Sequence, residues 1–188
     1  MNKKHHTLGC CGLDCGLCPR FYTDGASRCP GCCGEVFFAK HPSCPFVTCC
    51  FKKKGLEVCA QCDEYPCARS KKETGQKDSF ITHRKVLHNL AAIRESGLEP
   101  FLQQQARRIA ILENMLQQYD DGRSKSYYCI AAALLSIAGL AQSIQRAEQE
   151  INQKSIGQSN LKAKARILRQ FLEHTAGAEN AQLKLRKA

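Results

Sequence analysis

Residues 10–67 read CCGLDCGLCPRFYTDGASRCPGCCGEVFFAKHPSCPFVTCCFKKKGLEVCAQCDEYPC, and thirteen of the fourteen cysteines lie in this stretch. Its spacings are Cys11-x3-Cys15-x2-Cys18, Cys29-x2-Cys32-Cys33, Cys44-x4-Cys49-Cys50 and Cys59-x2-Cys62-x4-Cys67. They put sulfurs on tight turns, where several can converge on one ion or cluster. From Gly9 to about Arg69, Gly, Pro and Cys dominate and no helical or strand period persists. Residues 1–69 therefore read as a small metal-stabilised Cys-rich segment of loops and short turns, unable to fold on apolar burial alone. Phe21, Tyr22, Phe37, Phe38, Phe46, Phe51 and Tyr65 supply its packing and limit water access to the sulfurs.

Two sites account for most of the thiols. Cys11, Cys15 and Cys18, completed by Cys29 or Cys32, form the first; Cys49 or Cys50 with Cys59, Cys62 and Cys67 forms the second. Each of the doublets Cys10–Cys11, Cys32–Cys33 and Cys49–Cys50 leaves open which member ligates, with the neighbour able to substitute. Cys10, Cys33 and Cys44 stand as alternates, and His41 is near enough to Cys44 to be a zinc ligand or a surface residue. His5 and His6 read as a mobile terminus, while His83 and His88, five apart, share no helical face.

The knuckle pairs Cys15/Cys18, Cys29/Cys32 and Cys59/Cys62 favour zinc, about two ions per chain. One or two iron–sulfur clusters are the alternative, because C-x3-C-x2-C and the Cys-Pro steps at Cys18, Cys29 and Cys44 also fit them. Radical S-adenosylmethionine enzymes hold a cluster with that same C-x3-C-x2-C spacing. Their large strand-helix barrel has no room here, and no strand-helix alternation follows Cys18.

A chain of 188 residues with 43% hydrophobic content is globular, and no run of about 18 apolar residues suggests a membrane span. The opening MNKKHHTLG passes straight into cysteines without the apolar stretch of a secretory signal, so a cytoplasmic location is expected. Thiols stay reduced there, which favours ligation over disulfides. The net charge of +11 divides into +3 for residues 1–69 (nine basic, six acidic) and +8 for residues 70–188 (nineteen basic, eleven acidic). Eight thiolates around two Zn²⁺ lower the first figure to about −1, leaving the basic surplus to the second half.

After the polar linker SKKETGQKD (70–78), residues 70–188 read as mainly α, a helical bundle of about four helices. Phe80, Val86, Leu87, Leu90 and Ile93 form one stripe ended by Gly97. Pro100 starts a second helix, with Leu102, Ile109, Leu112, Met115, Leu116 and Tyr119 on its apolar side before DDG at 120–122. A third runs from Tyr127 to about Glu150 with a bend near Ser136–Gly139, and a fourth from about Leu161 to Thr175. The tail AENAQLKLRKA packs as a short strand or frays.

Taken together, CGLDCGLCP, the C-x2-C and C-x10-C elements, CAQCDEYPC and YDDGRSKSYYCIAAALL resemble the bacterial and archaeal family catalogued as domain of unknown function 3795. The Cys-rich part of the resemblance covers residues 10–69, and DDGRSKS is similar to members with a helical extension. The resemblance implies metal binding by the cysteines and adds no reaction.

In the segment DDGRSKS, Gly122 is placed to stop one helix and a serine to cap the next. The sharper reading is an anion site in which Arg123, Ser124, Lys125 and Ser126 meet a phosphate or an acidic partner at a helix N-terminus. Cys129, one turn on, is a buried thiol or an additional ligand. Three classes of function remain: an interaction or regulatory metal module with a protein partner, a nucleic-acid-binding protein, and an iron–sulfur redox protein or enzyme. The basic residues Lys52–Lys54, Arg107, Arg108, Lys162, Lys164, Arg166 and Arg169 support the second, though no aromatic stacking platform interleaves them. Catalysis is disfavoured, since neither a nucleophile–base pair nor a Gly-rich cofactor loop is present.

Overall fold

The computed structural model describes residues 2–41, 43–72 and 77–186, with Lys40 and Lys72 described by their backbone only. The middle of the linker read at 70–78 thus lies outside the described residues. Two compact units emerge, Met1–Gln105 with Leu185–Ala188, and Ala106–Lys184. Among the described residues no strand occurs and no helix is long and apolar enough to cross a membrane.

The first unit begins as the sequence suggests, in short turns. Cys15–Leu17, Pro19–Tyr22, Gly25–Ser27 and Cys59–Gln61 are single 3₁₀ turns, Val47–Lys53 is a π-helical turn, and α1 (Phe37–Lys40) and α2 (Ala68–Lys72) are about one turn each. Such tight pieces carry little packing of their own. What covers them is α3 (Val86–Ser96) and the start of α4 (Leu98–Tyr119). Val86, Leu90 and Ile93 of α3 and Phe101 of α4 form one buried cluster with Leu8, Val58 and Ala60 from the Cys-rich loops. Each of these large side chains contributes about 1.5–3 kcal/mol by leaving water. The Cys-rich segment therefore shares its apolar core with residues 86–101.

The buried stripe of α3 is narrower than the sequence pattern. Phe80 precedes the helix and is 62% exposed, with the Arg20 guanidinium 4.6 Å from its ring centre, and Leu87 points outward. Gly97 ends α3 at φ +90°, a conformation that favours glycine. The next helix starts at Leu98, two residues before Pro100, which sits in the first turn where its missing N–H costs nothing.

The tail is neither strand nor frayed through Arg186. Asp78 N–H donates to Arg186 O at 3.3 Å, Arg186 N–H donates to Asp78 Oδ2 at 2.8 Å, and the Arg186 guanidinium pairs with Asp78 Oδ1 at 3.1 Å. His83 N–H adds a bond of 2.8 Å to the same carboxylate, whose side chain is fully buried. Burial by itself would raise the Asp78 carboxyl, but the Arg186 side chain and backbone and the His83 N–H outweigh it and hold it well below the usual carboxylate range.

In the second unit the third expected helix is two. α5 (Lys125–Leu134) ends where Leu135 turns extended, and α6 (Ile137–Gln153) restarts at Ser136, whose hydroxyl accepts from Gly139 N at 2.9 Å. Five helices, α3 to α7 (Leu161–Ala178), therefore replace the expected four or so across residues 86–178. Arg108 donates to the carbonyls of Ala132 and Leu135 at 2.8 and 2.6 Å, satisfying the end of α5. On α6, Leu140, Ser143, Ala147 and Ile151 face inward, as do Ala165, Leu168, Leu172 and Ala176 on α7, and the two helices pack together. An added Cβ at Gly139 would stand 2.7 Å from Thr175 Cγ2, so the close approach of α6 and α7 requires glycine there.

Candidate metal centre

No disulfide joins any of the fourteen cysteines. The C-x2-C spacing produces two similar knuckles, closed by Cys18 N–H to Cys15 O at 3.2 Å and by Cys62 N–H to Cys59 O at 3.1 Å. Gln61 locks the second knuckle by accepting from the N–H groups of Glu57 and Val58 at 3.0 and 3.2 Å. Both are local consequences of a three-residue turn, which is why spacing alone finds them.

Three neighbourhoods of thiols result. In the first, Sγ atoms of Cys10, Cys32 and Cys33 lie within 4.8 Å of one another, and all three residues are buried. Cys10 and Cys32 sulfurs are 3.8 Å apart, and Cys10 N–H donates to Cys32 Sγ at 3.4 Å. The Cys32 and Cys50 thiols beside it hold the Cys10 thiol below its ordinary value and are themselves pushed up. Cys33 is raised to about 11 by burial and by the Cys10 charge.

The second neighbourhood joins Cys11, Cys15, Cys18 and Cys29. Cys29 N–H bonds to Arg20 O at 2.8 Å, bringing its sulfur back toward the first knuckle. Burial raises Cys15, and the charges of Cys11, Cys18 and Cys29 raise it further. Burial likewise raises Cys18, with Cys29 adding to the effect. Of the two candidates to complete this site, Cys29 is drawn toward the knuckle by its bond to Arg20 O, whereas Cys32 lies within 4.8 Å of Cys10 and Cys33, in a cluster against which Cys15 also packs.

The third is a cavity of about 30 Å³ lined by Cys49, Cys50, Cys59, Cys62 and Cys67 together with Lys54 and Arg69. Lys54 Nζ donates to Cys62 Sγ at 3.2 Å and pairs with Glu64 at 2.7 Å, and those contacts, Glu64 first, raise the lysine. Cys59 is lowered by a hydrogen bond from Cys50. Cys67, at the head of α2, is lowered chiefly by the Ser70 backbone N–H and further by that of Arg69.

The remaining candidates stand apart. Cys44 is partly buried against the Cys10 cluster. His41 is exposed and stacks on Phe37 at 4.6 Å. Cys129 is buried within the second unit, on α5. At the anion candidate, the carboxylate of Asp120 accepts from the N–H groups of Gly122 and Ser124, both at 3.1 Å. Asp121 accepts from Arg123 N–H at 3.1 Å and from the Ser124 hydroxyl at 2.8 Å. These carboxylates already fill the role of an anion there, with Arg123 and Ser126 exposed and Lys125 partly so.

Sequence reasoning missed the N-terminal residues. Lys4 and His5 N–H groups bond to the Glu57 carboxylate, both at 3.0 Å, and His6 O accepts from Cys32 N–H at 2.8 Å, so this segment is a fixed wall of the centre rather than a loose end. Lys3 is only 4% exposed and donates to Leu8 O at 2.6 Å. A buried cation two residues before His5 has no periodic signature to reveal it. The polar support of the first knuckle was missed as well. Buried Asp14 accepts from Asn89 at 2.7 Å and from Gln105 at 2.9 Å, and Asn89 also donates to Gly12 O at 2.9 Å. No family model matches the chain, and no curated protein or solved structure does either.

Proposed function

We propose that the chain is a cytoplasmic metal protein in which cysteine thiolates hold zinc as a structural ion and fix a surface for a protein partner. The two sites expected from spacing, Cys11, Cys15 and Cys18 with Cys29 or Cys32, and Cys59, Cys62 and Cys67 with Cys49 or Cys50, belong to this reading. The observation that carries it is the convergence of Cys10, Cys32 and Cys33 within 4.8 Å from turns 22 residues apart, with no disulfide formed. Buried thiols brought together without oxidation are the arrangement a thiophilic ion requires. Support for an interaction role comes from Val36 and Phe38, 57% and 46% exposed on either side of buried Phe37. Against nucleic acid, Arg146, Lys164 and Arg169 lie over Phe171, Tyr119 and Tyr127, so these rings are covered by the protein's own cations and present no open stacking face.

The test is the metal content and visible spectrum of protein purified without oxygen. Colourless protein with stoichiometric zinc is expected. A brown sample absorbing near about 400 nm would replace zinc by iron–sulfur clusters, and folded protein without metal would overturn the metal reading altogether.

A further inference from the structure

We propose that Cys10, Cys32, Cys33 and Cys50 form a third, mononuclear four-thiolate metal site, separate from the two that spacing assigns. It rests on the metal reading above and reverses the role of the doublets. Two of the doublets divide between groups, while Cys32 and Cys33 both face the same one. Cys10 meets Cys32 and Cys33 while Cys11 is only partly buried, and Cys49 lines the cavity of Cys59, Cys62 and Cys67 while Cys50 packs in the buried cluster with Cys10. Cys50 lies outside the 4.8 Å triad, its Sγ donating to Leu56 O at 3.4 Å and also lining the third cavity; turning it from that carbonyl onto an ion completes the buried group and leaves Cys49 to the cavity.

Four observations support a built site. Cys10, Cys32, Cys33 and Cys50 are exposed by 1%, 8%, 0% and 2%, which excludes water from the group. The 3.8 Å between Cys10 and Cys32 sulfurs matches the edge of a tetrahedron whose corners lie about 2.3 Å from one ion, about 3.8 Å. In a four-iron cluster each thiolate holds a different iron, which sets its sulfurs farther apart. Cys33 adopts φ +58° immediately before Gly34 and two residues after Gly31 at φ +80°, a left-handed backbone that a non-glycine residue keeps where the surroundings impose it. Finally, Lys3 is a cation only 4% exposed whose backbone N–H donates to Cys33 O at 3.1 Å, which places it beside the group. Four thiolates on a divalent ion carry a net charge of −2, and a buried ammonium beside them offsets half of it.

Counting ions on the intact protein by native mass spectrometry needs no variant, and about three zinc ions per chain are expected. Cys33→Ser and Cys62→Ser should each remove about one ion, the pair together about two, and Cys44→Ser none. Cobalt-loaded Cys33→Ser should lose about a third of the thiolate charge-transfer absorbance. Lys3→Met should keep all the ions but release one of them faster to a chelator. Wild-type protein with about two ions, or Cys33→Ser with the full wild-type count, overturns the third site and leaves the metal reading standing. Wild-type protein with no ion overturns both, and iron with inorganic sulfide in place of the third zinc overturns the mononuclear assignment.

Discussion

Leu90→Ala tests whether apolar packing or metal alone holds the Cys-rich loops in place. Leu90 is 1% exposed at the centre of the cluster formed by Leu8, Val58, Ala60, Val86, Ile93 and Phe101. The loop before the first knuckle lies flush on it, since a Cβ added to Gly12 would stand 2.7 Å from Leu90 Cγ. Deleting three carbons removes about 2.4 kcal/mol of transfer free energy. The cavity left behind raises the cost toward about 5 kcal/mol if the loop does not collapse into it. The assay is native-state hydrogen exchange of metal-loaded protein, read at Gly9 N–H, bonded to Leu13 O at 2.7 Å, and Cys59 N–H, bonded to Cys10 O at 2.8 Å. At about 1.4 kcal/mol per tenfold, both amides should exchange about 50-fold faster or more. Leu90→Met, which conserves volume, should cost less than about 1.5 kcal/mol. Acceleration below about fivefold in Leu90→Ala would show that metal, and not the helical cover, fixes the loops.

Further outcomes are expected elsewhere. The Asp78 carboxylate is depressed below its unfolded value of about 3.9, so its contribution is complete above about pH 4 and is lost as pH falls through the folded value. Nuclear magnetic resonance of the Arg186 amide should show release of the tail only in that acid range, and Asp78→Ala should release it at neutral pH at a cost of about 3 kcal/mol. A tail still ordered in the variant would disprove the latch. Gly139→Ala drives a methyl group into Thr175 and should cost about 1–3 kcal/mol, lowering the melting temperature of the second unit by about 4–8 °C per kcal/mol; an unchanged melting curve would contradict the close helix approach. Chelation should make residues 10–69 sensitive to limited proteolysis while the circular dichroism of α6 and α7 persists, because those loops lack a sufficient core of their own. A metal-free protein with that half undigested would refute the metal dependence.

Short-range features were legible because their causes are short-range. The knuckles at Cys15–Cys18 and Cys59–Cys62 follow from one turn each, the C-terminal end of α3 from Gly97, and the start of α7 from a stripe of period 3.6. Ser136 marked a bend in the sequence; that it divides two helices depended on its cap and on Glu179, which accepts from Ser136 N–H at 2.8 Å and from its hydroxyl at 2.6 Å. Phe80 fitted the stripe arithmetically, yet the chain around Asp78 is held by Arg186, 108 residues away, and the helix begins only at Val86.

By itself, then, the amino-acid sequence determined that this protein gathers thiols in one segment and helices in another, because composition and local periodicity need no partner to act. Which sulfurs meet was decided only by tertiary structure. Cys10 reaches Cys32 and Cys33 because the segment from Lys3 to Leu8 is pinned by Glu57, by the Cys32 and Cys33 backbone and by Leu8 in the buried cluster. The hydrogen bonds among them run across 26 (His6 to Cys32) to 53 (Lys4 to Glu57) residues of chain. Spacing is blind to them, since the direction of a side chain at a doublet depends on what packs against each of its two neighbours.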